Sequence, residues 1–251
     1  MNFEITSGFI YATLIVFCRI GTICMFLPGI GEAFVPTSVR LMFALLLSFA
    51  IAANINIPVI PNSNPEFILL VLNELAIGLC IGISIKIIQS SLHVFGMIFA
   101  SQAGLSSGMM FDPTQSTQGS SYGNMVSMCF VTLLLTSNLH LEIIHALRHS
   151  YDVFKFNFFL HHHTDLVNLI IRCSSDSFNV GVHMAAPFIV IGTLVNLGGG
   201  VLSRLMPQMQ VFFIVLPAQI VIHTSILIMT FGGTLIWFID YFQQYLINIL
   251  K

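Results

Sequence analysis

The sequence has very little charge. Of its 251 residues, eight are Lys or Arg and ten are Asp or Glu, or 7%. Soluble globular proteins carry about 25% charged residues, so the surface of a water-soluble domain of this size would be poorly covered. The net charge of −2 includes no basic cluster that could neutralise nucleic-acid phosphates. We therefore expect a membrane protein without a nucleic-acid partner.

The motifs of the common catalytic and cofactor sites are also missing. The chain contains no HExxH, no CxxC, no phosphate-binding loop and no GxGxxG pattern. Its five cysteines are odd in number, and four of them lie inside apolar runs, where a thiol behaves as a small hydrophobic group: Cys18, Cys24, Cys80 and Cys129. We expect no disulfide framework, no cofactor and no enzymatic activity.

Long apolar runs are abundant. Hydrophobic residues make up 56% of the chain, including 23 Phe and 12 Met. A helix needs roughly 20 apolar residues to cross a hydrocarbon core of about 30 Å. Six apolar runs approach this length, approximately 9–27, 41–57, 67–88, 125–147, 180–202 and 211–239. They predict an all-α membrane protein, with a single domain over 1–251 and polar loops at 101–124 and 149–179.

Two opposite charges interrupt the apolar runs. Arg19 lies in the first run and Glu74 in the third. Because a charge in a membrane helix costs about 2.5–3.5 kcal/mol, we expect the two to pair. The pair could line a passage, fix a subunit contact or be purely structural. Gly78 and Gly82 follow Glu74 at four-residue steps and form a GxxxG pattern, which favours close approach of another helix.

Two further patterns allow alternative interpretations. Gly198, Gly199 and Gly200 predict either a helix break or another backbone pressed against the helix, since each glycine disfavours helix by about 1 kcal/mol relative to Ala. A metal site could use Glu142, His145 and His149, which are spaced to share one helix face. The alternative is histidine at a membrane interface, and the run His161–His163 receives no role.

The polar segment 101–124 contains an apolar cluster among Gly, Ser, Thr and Gln residues. The cluster consists of Met109, Met110 and Phe111, followed by Asp112 and Pro113. Flexible Met side chains repack easily, so the cluster could seal a channel and then move aside. Gly104, Gly108 and Gly119 would allow that movement. The alternative is an exposed loop whose apolar residues dock on the bilayer surface.

Motifs in order along most of the chain resemble one family. They are Arg19-Ile-Gly21 with Pro28, Val35-Pro36 with Arg40, Glu74 with Gly78, Gln102-Ala-Gly104, Phe111-Asp112-Pro113, Ala186-Pro187, Pro207-Gln208 with Val211-Phe212, and Pro217. Together they resemble the FliR family of flagellar and type III secretion export-gate subunits. The sequence departs from the usual family pattern at Gln210 and at Ala103.

The resemblance implies a subunit of the gate that passes unfolded flagellar proteins across the bacterial inner membrane, within the flagellar basal body. The implied partners are FliP-like and FliQ-like subunits, FlhB, FlhA and membrane lipid. Bent helical hairpins, buried partly against other subunits, are the implied architecture. The segment from Gly104 to Gln118 resembles the plug of the closed pore.

The sequence also allows two other functional classes. A stand-alone secondary transporter could bind a small solute at Arg19 and Glu74 beside a break at Gly198. A membrane metalloprotein could use His145 and His149.

Overall fold

The structure is a computed structural model that describes residues 2–32, 34–55, 64–105, 118–154, 158–208 and 210–249. For residues 2–8, 64, 118–120, 158–166, 212, 248 and 249 it describes the backbone alone.

Seven helices form the described part of the chain, which contains no β-strand. In chain order they are α1 Asn2–Cys24, α2 Thr37–Ala52, α3 Asn64–Gln102, α4 Gln118–Thr136, α5 Leu139–Val153, α6 Phe158–Leu205 and α7 Val211–Ile249. The predicted all-α fold class is confirmed, and each predicted apolar run falls on one helix or, for 125–147, on two.

Three of these helices are long and apolar enough to cross a membrane. They are the segments Pro65–Gln102 in α3, Val167–Leu205 in α6 and Phe213–Ile247 in α7. The bent pair α4 and α5 would make a fourth span if counted as one. The apolar parts of α1 and α2 are shorter, so length and composition favour fewer full spans than the six apolar runs suggest.

The predicted continuous segment 125–147 is wrong because the chain turns sharply within it. Helices α4 and α5 meet at an angle of 82°. Asn138 lies between them with φ 59°, in the left-handed region. Asn enters this conformation more readily than most residues, and a left-handed residue ends a helix. A hydropathy average over the run does not detect a single backbone turn.

The predicted polar loop 149–179 is also wrong over most of its length, since α6 begins at Phe158. The charged residue Arg172 is exposed, whereas the opposite face of the helix is buried. The buried positions follow helical spacing and are Cys173, Ser177, Val180 and Met184. Arg172, one of the charges that suggested a loop, therefore belongs to the exposed face of an amphipathic helix.

The three consecutive glycines do not break α6. The helix continues through Gly198, Gly199 and Gly200, and a Cβ added at Gly198 or Gly200 would meet nothing within 4 Å. Both alternatives from the sequence are therefore wrong for the described residues: the helix is unbroken and no other backbone presses on it there.

The chain divides into two compact units. Unit 1 contains residues 1–88, 134–174 and 243–251, and unit 2 contains 89–133 and 175–242. Aliphatic side chains dominate the centre of unit 1, including Ile15, Ile20, Ile77, Ile143 and Leu147. Aromatic side chains dominate unit 2, where Phe95, Phe99, Phe130, Phe188, Phe238 and Phe242 are fully buried. The single membrane domain stays a prediction.

Candidate functional site

A buried ion pair joins α1 to α3 in unit 1. Arg19 donates from Nε to Glu74 Oε2 at 2.7 Å and from Nη2 to Oε1 at 2.9 Å. Both side chains are 0% exposed. Two parallel charge-assisted bonds give a bidentate pair, which is the arrangement that best compensates the removal of two charges from water. The pairing predicted from the sequence is confirmed.

Arg19 also binds the end of α5. Nη1 donates to the Ser150 carbonyl at 3.0 Å, and Nη2 donates to the Phe154 carbonyl at 2.9 Å. The guanidinium carbon lies 4.0 Å from the centre of the Tyr151 ring. The Ser150 carbonyl also accepts the Phe154 amide at 2.9 Å, and carbonyls at the C-terminal end of a helix attract cations. The pair is therefore a junction of three helices, and its groups are occupied by protein contacts.

The GxxxG pattern next to this pair brings α3 close to α1. A Cβ at Gly78 would lie 2.7 Å from the Arg19 carbonyl oxygen and 2.6 Å from Thr22 Oγ1. At Gly82 it would lie 2.8 Å from the Phe26 ring. Atoms at these distances overlap, so the predicted close helix approach is confirmed at Gly78, whereas the neighbour of Gly82 is a side chain in the turn after α1.

A second group of charges holds the turn between α1 and α2. Arg40 donates from Nε to the Val35 carbonyl at 3.1 Å, and its Nη2 donates to the carbonyls of Val35 and Glu32. The Glu32 carboxylate accepts a bond from Lys86 Nζ on α3 at 3.0 Å. These side chains are partly exposed, at 40% for Lys86 and 21% for Glu32. They anchor the turn to α3.

The residues considered for a metal lie along one groove in unit 1. Glu142, His145 and His149 on α5 line a cavity of about 400 Å³ together with Gln243 on α7. Gln243 Nε2 donates to Glu142 Oε1 at 2.9 Å, and the His149 ring lies 3.2 Å from the Asp152 carboxylate. Within the described residues, no three His, Cys, Asp or Glu side chains are grouped as metal ligands.

In unit 2 the end of α3 leads into the predicted gate segment. Gly104 has φ +76° and its amide bonds the Ser101 carbonyl at 3.2 Å, so it ends the helix in the left-handed conformation that favours glycine. The Gln102 carbonyl accepts a bond from Gln219 Nε2 on α7. The other gate positions Gly108, Met109, Met110, Phe111, Asp112 and Pro113 lie outside the described residues, and Gly119 is described only by its backbone in α4.

A buried histidine beside Gln219 joins α7 to α6. His223 is 0% exposed, with Nδ1 2.8 Å from the Gln219 carbonyl oxygen and Nε2 3.2 Å from the Phe188 carbonyl oxygen. Its ring stacks on the Phe188 ring at a centroid distance of 6.4 Å. A carbonyl oxygen only accepts, so a ring nitrogen that bonds one of these carbonyls is the donor.

The sequence analysis missed Gln219 and His223. The available signal was two polar residues four positions apart in an otherwise apolar helix, which places them on one face. The motif residues Pro187, Pro207, Gln208 and Pro217 are all exposed, the first and last within helices and the other two between α6 and α7.

Comparison with known proteins gives the same family along the whole chain. Residues 10–245 match the profile of bacterial export proteins, family 1. The chain belongs to the FliR family of bacterial export proteins. It is accordingly a membrane-embedded component of flagellar protein export.

Named relatives cover nearly the full length. The flagellar biosynthetic protein FliR of Caulobacter vibrioides is 31% identical over 248 residues, which cover 98% of each chain. The Aquifex aeolicus protein of the same name is 31% identical over 247 residues, covering 96% of this chain and 94% of the relative. The Escherichia coli protein is 26% identical over 207 residues, covering 80% of this chain and 76% of the relative.

Proposed function

We propose that this chain is a non-enzymatic subunit of the flagellar export gate in the bacterial inner membrane. It forms part of the pore through which unfolded flagellar proteins cross. The observation that carries the proposal is the family match over 10–245, which covers all but the last two residues of the three candidate spans found in the described residues. FliP-like and FliQ-like subunits, FlhB and FlhA are the proposed partners, and the flagellar basal body is the proposed location.

The exposed apolar surface of the long helices supports a subunit that assembles with others or contacts lipid. On α6, Leu194, Leu197, Val201 and Leu205 are exposed at helical spacing, with Leu205 74% exposed. On α7, Met229 is 86% exposed. Contiguous apolar faces of this kind are stable against lipid or another apolar helix and unstable in water.

The gate segment is proposed from the sequence. Met109, Met110 and Phe111 block the closed channel, and the glycine hinge at Gly104 lets the segment leave it. Arg19 and Glu74 act as a fixed junction that holds the helices around the pore. Because both charges are bonded within the protein, this role differs from solute binding by a stand-alone transporter.

Purification in a mild detergent tests the assembly. The chain is expected to elute with FliP-like and FliQ-like subunits in a complex of fixed composition, identified by mass spectrometry. A stand-alone transporter would instead elute as a monomer or as an oligomer of this chain alone, and that result would overturn the proposal.

Deletion of Gly104 to Gln118 tests the gate. The deleted chain is expected to assemble normally but to make the membrane permeable to ions and small solutes, measured by release of an entrapped dye. The control is the same deletion in cells that lack the FliP-like subunit, where no pore forms and no leak is expected. A deletion complex as tight as the wild type would remove the plug assignment.

A further inference from the structure

A neutral polar cavity of about 440 Å³ lies in unit 2, where the C-terminal ends of α3 and α6 meet the beginning of α7. Its polar lining consists of two hydroxyl and two amide side chains, from Ser101, Ser203, Asn196 and Gln219. None of the described residues that line it is charged. Ser101, Asn196 and Ser203 are exposed and can reach a ligand, whereas Gln219 is buried.

Hydrogen-bonding capacity in the cavity is only partly used. Ser203 Oγ donates to the Gly200 carbonyl at 2.8 Å, and Gln219 Nε2 donates to the Gln102 carbonyl. No described residue bonds the side chains of Ser101 or Asn196. The cavity therefore offers free amide and hydroxyl donors and acceptors to a ligand.

Glycine keeps one wall of the cavity open. Gly199 and Gly200 line it on α6, and a Cβ at Gly200 would meet nothing within 4 Å. Gly199 and Gly200 disfavour the helix by roughly 1 kcal/mol each relative to Ala. A Cβ at Gly199 would lie 3.2 Å from the Val215 side chain, whereas Gly200 is required neither by a turn nor by a close contact with a described residue. Their small size leaves space for the backbone of a ligand against α6.

The chemistry of the walls selects the ligand class. Neutral amides and hydroxyls recognise groups that both donate and accept hydrogen bonds, and a peptide main chain presents one N–H and one C=O at nearly every residue. The absence of charge makes such contacts independent of cargo side chains. The cavity also includes Gly104, the residue at which the proposed gate segment begins.

We infer that this cavity binds the main chain of the exported polypeptide through Asn196, Ser203 and Gln219. The inference rests on the proposed function, because it assigns the cargo of the gate to one surface of this subunit. The cargo is an unfolded polypeptide in extended form. The cavity would bond its main chain and make no contact that depends on its sequence.

Disulfide crosslinking to stalled cargo tests the contact. The variant is Asn196→Cys, in complexes stalled with cargo that carries one cysteine and ends in a stably folded domain. Crosslinks are expected from several cargo positions whatever their neighbouring residues. The control is Gly232→Cys on α7, an exposed site outside the cavity with nothing within 4 Å of an added Cβ, where no crosslink is expected.

Filling the cavity gives an independent measurement. Gly200→Leu is expected to lower export about tenfold while the complex still assembles, because a leucine occupies the volume that the peptide needs. Gly232→Leu is the matched control with unchanged export, and Gly200→Ser should retain most activity. Asn196→Leu is expected to lower export about fivefold through the lost hydrogen bonds.

The outcomes separate this inference from the proposed function. If the intact complex stalls cargo and the cargo crosslinks to other subunits but not to Asn196→Cys, the cavity inference is wrong and the gate function stands. If Asn196→Cys crosslinks a partner subunit without cargo, the cavity is a subunit interface and the inference is again wrong. Failure of the chain to purify with gate partners would overturn the proposed function itself.

Discussion

The two units of this chain handle buried polar groups in opposite ways. Unit 1 buries a full ion pair, Arg19 with Glu74, and Arg19 also bonds two carbonyls at the end of α5. Unit 2 instead uses the neutral amide of Gln219, which bonds a main-chain carbonyl beside an open cavity. A paired charge makes a rigid junction, because any movement exposes an unpaired ion. Neutral groups can exchange partners at lower cost, which suits a surface that contacts passing cargo.

The largest expected effect comes from removing one charge of the junction. Glu74→Ala leaves Arg19 buried without its carboxylate, and we expect a loss of about 3–5 kcal/mol in stability. The measurement is the thermal unfolding midpoint of the purified complex, together with the amount of chain in the membrane. The double variant Arg19→Met with Glu74→Leu is the control and should recover much of the loss. If the single and double variants lowered the unfolding midpoint equally, the unpaired buried charge would not be the cause of the destabilisation.

The next effect concerns helix approach in unit 1. Gly78→Ala places a methyl group 2.7 Å from the Arg19 carbonyl oxygen, and we expect a destabilisation of about 1–3 kcal/mol from overpacking. Gly232→Ala in unit 2 is the matched control, since its added methyl meets nothing within 4 Å and should stabilise the helix by up to about 1 kcal/mol. The measurement is the thermal unfolding midpoint of each variant compared with that of the wild type. A similar shift in both variants would contradict the close approach at Gly78.

A smaller effect is expected from a neutral contact in unit 2. Gln219→Leu removes the donor to the Gln102 carbonyl, and we expect a loss of about 1–2 kcal/mol. Hydrogen exchange at the Ala103 and Gly104 amides should become faster, because the end of α3 loses its tie to α7. Thr230→Val is the control on the same helix, since its hydroxyl bonds only within α7. Unchanged exchange at both amides would indicate that Gln219 does not hold the end of α3.

The smallest effect belongs to the partly exposed pair between Lys86 and Glu32. Lys86→Met should cost at most about 1 kcal/mol, because solvent screens an ion pair at this exposure. The difference from the wild type should shrink at high salt, measured as unfolding midpoints at two salt concentrations. If Lys86→Met lost as much stability as Glu74→Ala, the exposed ion pair would contribute as much as the buried one, against this prediction.

Local patterns in the sequence predicted some contacts correctly. An unpaired charge in an apolar helix is costly, and the apolar runs of this chain contain few charges of opposite sign. The sequence alone was therefore enough to pair Arg19 with Glu74. The glycine spacing at Gly78 and Gly82 also predicted close packing. Other predictions were wrong, because Asn138 turns the chain within one apolar run and Arg172 lies on the exposed face of a helix where a loop was predicted. Hydropathy averages over both features.

The polar contacts of unit 2 could not be predicted, since Gln219 bonds a carbonyl 117 residues away. The three glycines likewise give no sequence signal for an open cavity wall as opposed to a break.

By itself, the sequence determined that this chain is helical, embedded in a membrane and a member of the FliR family. Those properties depend on composition, on run length and on ordered motifs, which are all local. Apart from the Arg19 and Glu74 pair, only the tertiary structure decided which polar groups bond one another and which of them line a cavity. Hydrogen-bond satisfaction depends on residues that are distant in sequence and meet only when helices pack. The neutral cavity beside Gly104 is therefore visible in the fold and absent from the sequence pattern.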